Sequence, residues 1–250
     1  MDRSAAGKPR TSGGKGFSRA ALLGLVGHLE STVKRLRSRP ARRGWLGYYQ
    51  DNTYTAESIT VKERLVSEFL DRADPNRVWD FGANTGRFSR IAGDRSISTT
   101  AFDVDVDCVE ANYQEVKRKG DRHLLPLQLD LFNPSPASGW MNRERASLFD
   151  RGNPDLVLAL ALIHHLAFTG NLPLENIARF FEGVAPWLVV EFVPPDDPQV
   201  ARLSHAADGV HHRYDQDWFE SCFGRRFEVI SREPILDSGR ILYLFRRRSG

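Results

Sequence analysis

The chain has 250 residues, 41% of them hydrophobic, so it can bury one sizeable core and has room for a single domain with a short extension. Cys108 and Cys222 lie far apart and outside any C-x-x-C spacing, which argues against a disulfide framework or a structural zinc site. Because no apolar run approaches the length of a membrane span and no signal-peptide pattern occurs, we expect a cytoplasmic protein.

Charge is distributed unevenly along the chain. Residues 1–43 contain eleven Lys and Arg against two acidic residues, a net charge of +9, which leaves −6 for the remainder of a chain whose total is +3. An acidic body lacks the basic surface that nucleic-acid-binding domains use. A nucleic-acid partner is therefore not favoured. The basic leader could nevertheless bind phosphates, which leaves that alternative open.

The N-terminal segment divides into two parts. Residues 1–17 are rich in Gly, Ser, Lys and Arg, and we expect this basic leader to be disordered. Apolar residues then recur at helical spacing from Ser18 to Arg39, and Pro40 ends the run, which predicts a basic amphipathic helix within residues 18–43. The helix could dock on the domain that follows, lie on an acidic membrane surface or partner, or serve as an organellar transit peptide.

The domain itself is expected to cover residues 44–250. It opens with an aromatic segment, followed by a predicted helix from Glu57 to Leu70. These rings could form a lid over a flat ligand or pack the helix onto the sheet, and the sequence leaves both open. The aromatic residues are Trp45, Tyr48, Tyr49 and Tyr54.

The stretch from Val78 to Ser89 predicts a buried strand, a glycine turn and the start of a helix. Gly82 and Gly86 permit positive φ and let a ligand approach the backbone, so the turn marks a ligand site at the carboxyl edge of an α/β sheet. Dinucleotide folds require a middle glycine where this chain has Asn84, so an NAD site is not favoured. The acid before the turn, Asp80, suits an ammonium group better than a phosphate.

Acids also follow the next two predicted strands. Asp103 comes 21 residues after Gly82, where dinucleotide-binding folds place an acid that accepts hydrogen bonds from ribose hydroxyls. Asp130 ends a third strand and could accept from an adenine amino group, with Leu131 or Phe132 against the ring face.

The apolar run from Leu156 to Ile163 predicts a central strand buried on both faces. It ends in His164 and His165, either of which could act as a general base, donate a hydrogen bond to a substrate or have a structural role. A metal site with the pair at residues 211–212 lacks the necessary spacing, and we expect no metal. Glu191, on the fifth strand, lies either at the ligand edge or buried and paired.

Two connections and two strands complete the prediction. The long connection from Asn133 to Asn153 and the polar segment from Pro194 to Tyr214 are candidates for substrate contacts. Strands from Arg226 to Ser231 and from Arg240 to Phe245 are close enough in sequence to be antiparallel neighbours.

From Trp45 to Arg248 the chain resembles the class I methyltransferases that depend on S-adenosylmethionine (SAM). More narrowly, DFGANTGRFS, LFNPSPASGW, LALALIHHL and VVEFVPPDDP resemble a little-characterised group that includes a nodulation-associated methyltransferase-like protein. The resemblance implies a Rossmann-like α/β fold with seven strands, mostly parallel with an antiparallel last strand, and helices on both faces. The cofactor site that it implies comprises Asp80, Gly82, Ala83, Asn84, Gly86, Asp103, Val104, Asp130, Leu131 and Ala161.

The implied activity is methyl transfer from SAM to an oxygen or nitrogen of an unidentified acceptor, a small molecule or saccharide. His164, His165 and Glu191 are the candidate catalytic residues. The sequence departs from the amino-directed DNA and protein methyltransferases because His164-His165 stands where they have an Asn/Asp-Pro-Pro-Tyr/Phe motif. An RNA methyltransferase that uses the basic leader, and a non-catalytic SAM-fold binding module, are the alternatives.

Overall fold

The computed structural model describes residues 17–36, 55–206 and 213–249. The chain divides into two compact units, Met1–Arg39 and Pro40–Gly250, and each is described by itself. Three sets of predicted features lie outside the described residues: the leader through residue 16, the aromatic segment at residues 45–54, and the histidine pair at residues 211–212.

The first unit contains the predicted amphipathic helix, α1 (Arg19–Arg35). Ser18 caps its start, because the Ser18 hydroxyl accepts a hydrogen bond from the N–H three residues on, at 3.2 Å. The helix ends earlier than Arg39, since the N–H of Leu36 donates to the carbonyl three residues before it and closes the last turn. None of the described helices, α1 included, has the length and apolar character needed to cross a bilayer.

The second unit alternates strands and helices. Its strands are β1 (Arg77–Phe81), β2 (Ser98–Asp103), β3 (Leu124–Gln128), β4 (Leu156–Ala159), β5 (Trp187–Phe192), β6 (Phe227–Pro234) and β7 (Ile241–Arg247). Its helices are α2 (Ala56–Ala73), α3 (Ser89–Gly93), α4 (Val106–Lys119), α5 (Leu174–Val184), α6 (Pro198–Ala206) and α7 (Gln216–Gly224).

The seven strands form one sheet in the order β3-β2-β1-β4-β5-β7-β6. Strands β1 to β5 pair in parallel, and β7 is antiparallel to both of its neighbours. The predicted sheet, mostly parallel with an antiparallel last strand, is therefore confirmed. A parallel arrangement brings the carboxyl ends of β1 to β4 to one edge, which is where α/β proteins bind ligands.

Helices cover both faces of the sheet, and β4 shows the division most clearly. Its alternating residues Val157 and Ala159 pack with α5 and α7, whereas Leu156 and Leu158 pack with α2 and α3. Since the exposed fraction of all four side chains is 0%, the strand is buried on both sides, as its continuous apolar sequence predicts.

Strand β4 is shorter than the apolar run that predicts it. Pairing ends at Ala159, although the run continues to Ile163. Ala161 adopts a φ of 48°, a left-handed conformation that few non-glycine residues occupy and that cannot continue a strand. The second half of the run therefore leaves the sheet and supplies residues to its ligand edge.

Helix α6 is absent from our sequence prediction, which has a polar segment in its place. The local signal is nevertheless present: the Asp197 side chain accepts from the N–H of Gln199 at 2.8 Å, and Pro198 occupies the first helical position. An acidic cap followed by proline is a common way to begin a helix. The consecutive prolines and acids before it suggest a loop and obscure this start.

Replacing Leu158 with Ala should lower the free energy of unfolding by about 2–5 kcal/mol, because the truncation leaves a cavity in the middle of the core. The same truncation at Leu125, whose side chain is 53% exposed on β3, should change it by no more than about 0.5 kcal/mol. Urea unfolding followed by tryptophan fluorescence measures both. Equal losses in the two variants would contradict this description of the core.

Candidate active site

A cavity of about 500 Å³ opens at the carboxyl ends of β1 to β4. Its size is that of a site for a small molecule or cofactor, and its wall is mostly apolar with a few acids. The residues that line it are Lys62, Asp80, Phe81, Gly82, Ala83, Asn84, Phe88, Phe102, Asp103, Val104, Leu129, Asp130, Leu131, Phe132, Leu160, Ala161, Leu162, His165, Leu166, Thr169 and Leu203.

The glycine turn after β1 is tied to β2 by its backbone. The N–H groups of Gly82 and Ala83 both donate to the carbonyl of Phe102, each at 2.9 Å. Gly82 and Asn84 have φ angles of 73° and 51°, so the chain reverses sharply between strand and helix. The turn consequently presents its backbone to the cavity, which Gly82 can do closely because it has no Cβ.

Asn84 occupies the position where many members of the resembled family have glycine, and the structure shows why asparagine fits. Its left-handed φ is one that asparagine tolerates better than most residues. Its N–H donates to the Asp103 carboxylate at 2.7 Å, and its side-chain oxygen accepts from the N–H of Thr85 at 2.8 Å. The turn thus keeps the conformation that glycine would give it.

Asp103 ends β2 with its carboxylate held in place. Besides Asn84, the N–H of Asp105 donates to it at 2.8 Å. Burial raises the pKa of Asp103, and these two backbone N–H bonds act in the opposite direction. A carboxylate accepts about four hydrogen bonds, so Asp103 retains acceptor capacity toward the cavity that it lines.

Asp80 is 2% exposed and also lines the cavity. The Ser89 hydroxyl donates to its carboxylate at 2.6 Å. Burial raises the pKa of Asp80 to about 7, although the Ser89 bond and the nearby Lys62 ammonium both lower it. A buried carboxylate at a cavity wall favours a cationic ligand, because a positive charge there offsets the cost of ionisation.

Lys62 is a cavity residue that our sequence analysis missed. It lies on α2, is 2% exposed, and places its ammonium 4.5 Å from the ring centroid of Phe88. Among the described lining residues it is the single Lys or Arg. The available signal is its position: Lys62 interrupts the apolar stripe of the helix between Ile59 and Val66.

Glu191 belongs to a buried ionic chain and does not line the cavity. Its carboxylate lies 2.6 Å from the ammonium of Lys62 and 3.4 Å from the guanidinium of Arg240. Arg240 in turn lies 2.8 Å from Asp197, and all four side chains are at most 3% exposed. Of the two placements that the sequence leaves open for Glu191, the structure has the buried and paired one.

The two histidines after β4 have different surroundings. His165 lines the cavity, whereas His164 is 1% exposed, lies outside the lining, and has its ring centroid 4.2 Å from that of His165. Burial, reinforced by the charge of Arg240, lowers the pKa of His165 to about 4, and burial also lowers that of His164. Both imidazoles are therefore neutral at pH 7. His165 begins a π-helical turn that extends to Thr169, a feature frequent at functional sites.

Apart from His164 and Glu191, the predicted site residues line the cavity with one exception. Asp130 follows β3, and its carboxylate accepts from the N–H of Phe132 at 2.9 Å, which shapes the turn at this edge. Gly86 is the exception. The structure brings to the cavity wall the predicted residues Asp80, Gly82, Ala83, Asn84, Asp103, Val104, Asp130, Leu131, Ala161 and His165.

Gly86 is required for packing between the turn and α4. A Cβ on Gly86 would overlap the amide of Asn112, a buried residue of that helix. The guanidinium of Arg90 fixes the arrangement, donating to the carbonyl of Thr85 and to the amide oxygen of Asn112, each at 2.7 Å. The absence of a Cβ on Gly86 therefore lets the glycine turn pack closely against Asn112 of α4.

Several further cavity residues carried no recognisable sequence signal, among them Phe88, Thr169 and Leu203, the last on α6. An isolated apolar or hydroxyl side chain is indistinguishable from an ordinary core or surface residue until the elements are assembled. In the part of the chain that the structure describes, no three His, Cys, Asp or Glu side chains are grouped so that they could hold a metal ion.

Comparison with solved structures identifies the fold. The N-methyltransferase NodS from Bradyrhizobium japonicum WM9, in complex with S-adenosyl-L-homocysteine, matches with a TM-score of 0.54 and 15% identity, over 88% of this chain and 98% of that one. Magnesium protoporphyrin IX methyltransferase from Synechocystis PCC 6803, also with bound S-adenosylhomocysteine, matches with a TM-score of 0.55 and 12% identity, over 89% and 95%. The chain has the fold of the class I SAM-dependent methyltransferases.

Sequence comparison gives a nearer relative. The chain is 34% identical over 229 residues to nodulation protein NoeA of Rhizobium meliloti (strain 1021). This match covers 91% of the chain but 48% of NoeA, so the chain spans about half the length of that relative. No family model matches the sequence. The chain is thus a class I methyltransferase-fold protein related to NoeA.

Replacing Gly86 with Ala should destabilise the protein by at least about 1–2 kcal/mol, because Gly86 has a φ of 77° and the new Cβ would displace Asn112. Gly183→Ala is the matched control, since that glycine lies within α5 and has nothing within 4 Å of an added Cβ. We expect the control to be neutral or stabilising. Thermal unfolding of both variants makes the comparison, and an unaffected Gly86→Ala protein would contradict this packing.

Replacing Glu191 with Gln should lower the free energy of unfolding by roughly 3–5 kcal/mol, because it leaves the buried charges of Lys62 and Arg240 without their shared carboxylate. Glu228→Gln offers a matched control: Glu228 pairs with Arg246 at 2.7 Å in the same sheet, but about half exposed. The control should lose at most about 1 kcal/mol. Denaturant unfolding would reject the structural role of the ionic chain if both variants behaved alike.

Proposed function

We propose that this protein is a SAM-dependent methyltransferase that transfers a methyl group to an oxygen or nitrogen of a small-molecule or saccharide acceptor. One observation carries the proposal: Asp80, Asp103 and Asp130, at the ends of three neighbouring parallel strands, converge on one largely apolar cavity. The fold shared with NodS and the relationship to NoeA support it.

The polar groups of the cavity are complementary to the parts of SAM. Asp80 would accept from the ammonium group, and Lys62, the cation beside it, would receive the carboxylate of the same amino-acid moiety. Asp103 would accept from the ribose hydroxyls. Asp130 would accept from the adenine amino group, with Leu131 against the ring. The buried carboxylate of Asp80, whose pKa is raised, fits a cationic partner especially well.

Bound SAM would supply an electrophilic methyl group on a sulfonium. The protein's contribution would be to orient the acceptor and to exclude water, which the apolar wall favours. His165 would accept a proton from a hydroxyl or amine acceptor, because it lines the cavity and is neutral at pH 7. His164 would support the ring of His165 from behind.

We propose that the acceptor lies among the lining residues that the SAM assignment does not use. These residues surround His165 and include Leu166, Thr169 and, on α6, Leu203. A single hydroxyl among leucines suits an uncharged acceptor group.

Cys108 and Cys222 are both free, which supports the proposal that the protein works in the cytoplasm.

Calorimetric titration with S-adenosylhomocysteine tests the proposal. We expect the wild type to bind and Asp103→Ala to bind at least about tenfold more weakly, because a hydrogen bond to a charged group is lost. Asp94→Ala, an exposed acid at the end of α3, is the control and should bind as the wild type does. Absence of binding to the folded wild-type protein would overturn the proposal.

The affinity for S-adenosylhomocysteine should rise with pH and level off above about 7. The pKa of Asp80 is raised to about 7 in the empty site, and the ligand ammonium stabilises its ionised form, so a proton must be released on binding below that pH. Titrations from pH 5.5 to 8 in buffers of different ionisation enthalpy measure both the affinity and the proton release. In Asp80→Asn, binding should be weaker and should lose this dependence; a persistent dependence would assign it to another group.

A further inference from the structure

Helix α1 has an apolar stripe that a single helix cannot bury by itself. At 100° per residue, Leu22, Leu25, Val26, Leu29 and Val33 fall within an arc of roughly 100°. All five side chains are exposed, from 48% to 65%. Burying such a stripe against a surface is favourable by the hydrophobic effect, so the stripe marks a site of contact.

The other side of α1 and the sequence that follows it are cationic. Lys34 and Arg35 lie away from the stripe, and Lys34 lies 2.6 Å from Glu30, with both side chains exposed. From Lys34 to Arg43 the sequence contains six Lys and Arg and no acid. A long cationic side chain beside an apolar stripe can place its stem on an apolar surface and its charge at the edge of that surface.

We propose that α1 is an interfacial anchor that lies in the plane of an anionic lipid bilayer, with its stripe at the acyl boundary and its cations among the headgroups. An apolar groove on a protein would require the stripe but not six cations within ten residues, whereas an anionic bilayer matches both features. The proposal is independent of the methyltransferase function, because it uses no residue of the cavity.

Co-sedimentation of the full chain with two kinds of vesicle tests the anchor. We expect at least about tenfold stronger binding to phosphatidylcholine vesicles that contain phosphatidylglycerol than to phosphatidylcholine alone, and weaker binding as salt is added. Equal binding to both vesicles, or binding to neither, would overturn the proposal.

Two variants with the same change of charge separate the stripe from general electrostatics. Leu29→Glu places an acid at the centre of the stripe, and Ser31→Glu places one on the opposite side of α1. We expect Leu29→Glu to lose vesicle binding by at least tenfold and Ser31→Glu to lose only severalfold. Equal losses would show that charge alone governs binding and would refute the anchor.

Two further measurements distinguish the bilayer from a second copy of the chain, and the anchor from the proposed enzyme site. Light scattering after size exclusion should give the same molar mass for the wild type and Leu29→Glu, and S-adenosylhomocysteine titration should give the same affinity. A wild-type oligomer that Leu29→Glu dissociates would assign the stripe to a contact between copies of the chain and refute the bilayer. If vesicles bind but S-adenosylhomocysteine does not, the anchor stands and the proposed enzyme activity fails.

Discussion

The buried carboxylate of Glu191 connects the stability of the sheet to the shape of the cavity. A charge near the carboxyl end of β5 with no exposed surface must be paired, and the pairing recruits Lys62 from α2 and Arg240 from the segment before β7. Arg240 then holds Asp197, which also begins α6. One ionic chain therefore fixes the elements that contribute Lys62 and, through α6, Leu203 to the cavity wall.

The sequence predicts the ligand edge of the sheet well, because the relevant signals are local. A buried strand, a turn and a following acid occur within a few residues, and parallel pairing then brings Asp80, Asp103 and Asp130 to one edge without further information. The same reasoning cannot reveal the partners of Glu191, since Lys62 and Arg240 are remote in the sequence and become neighbours only when α2 and the β6–β7 hairpin pack. The apolar residues on either side of Glu191 suggest a special environment for its charge, but they do not identify the residues that pair with it.

The two glycines of the turn illustrate a second limit of local reasoning. Both have positive φ, and the motif suggests that both serve the ligand. Only Gly82 reaches the cavity, because Gly86 faces α4 and makes room for Asn112. A motif therefore predicts where close approach is needed, but the approaching group can be a ligand or another helix, and the assembled fold decides between them.

The electrostatics of the cavity are consistent with a cationic reactant. A protonated imidazole beside a sulfonium would repel it, so a proton acceptor at this position must be neutral before the reaction begins. Burial, with a smaller contribution from Arg240, keeps His165 in that form. The pairing of Lys62 and Arg240 with Glu191 and Asp197 leaves the buried ionic chain with no net charge. The Lys62 ammonium is likewise matched by Glu191 and offset at the wall by the acids of β1 to β3. For the proposed reaction, the buried ionic chain would thus do more than stabilise the fold: it would let two cations lie close to the cavity while the carboxylates of Asp80, Asp103 and Asp130 determine the potential inside it.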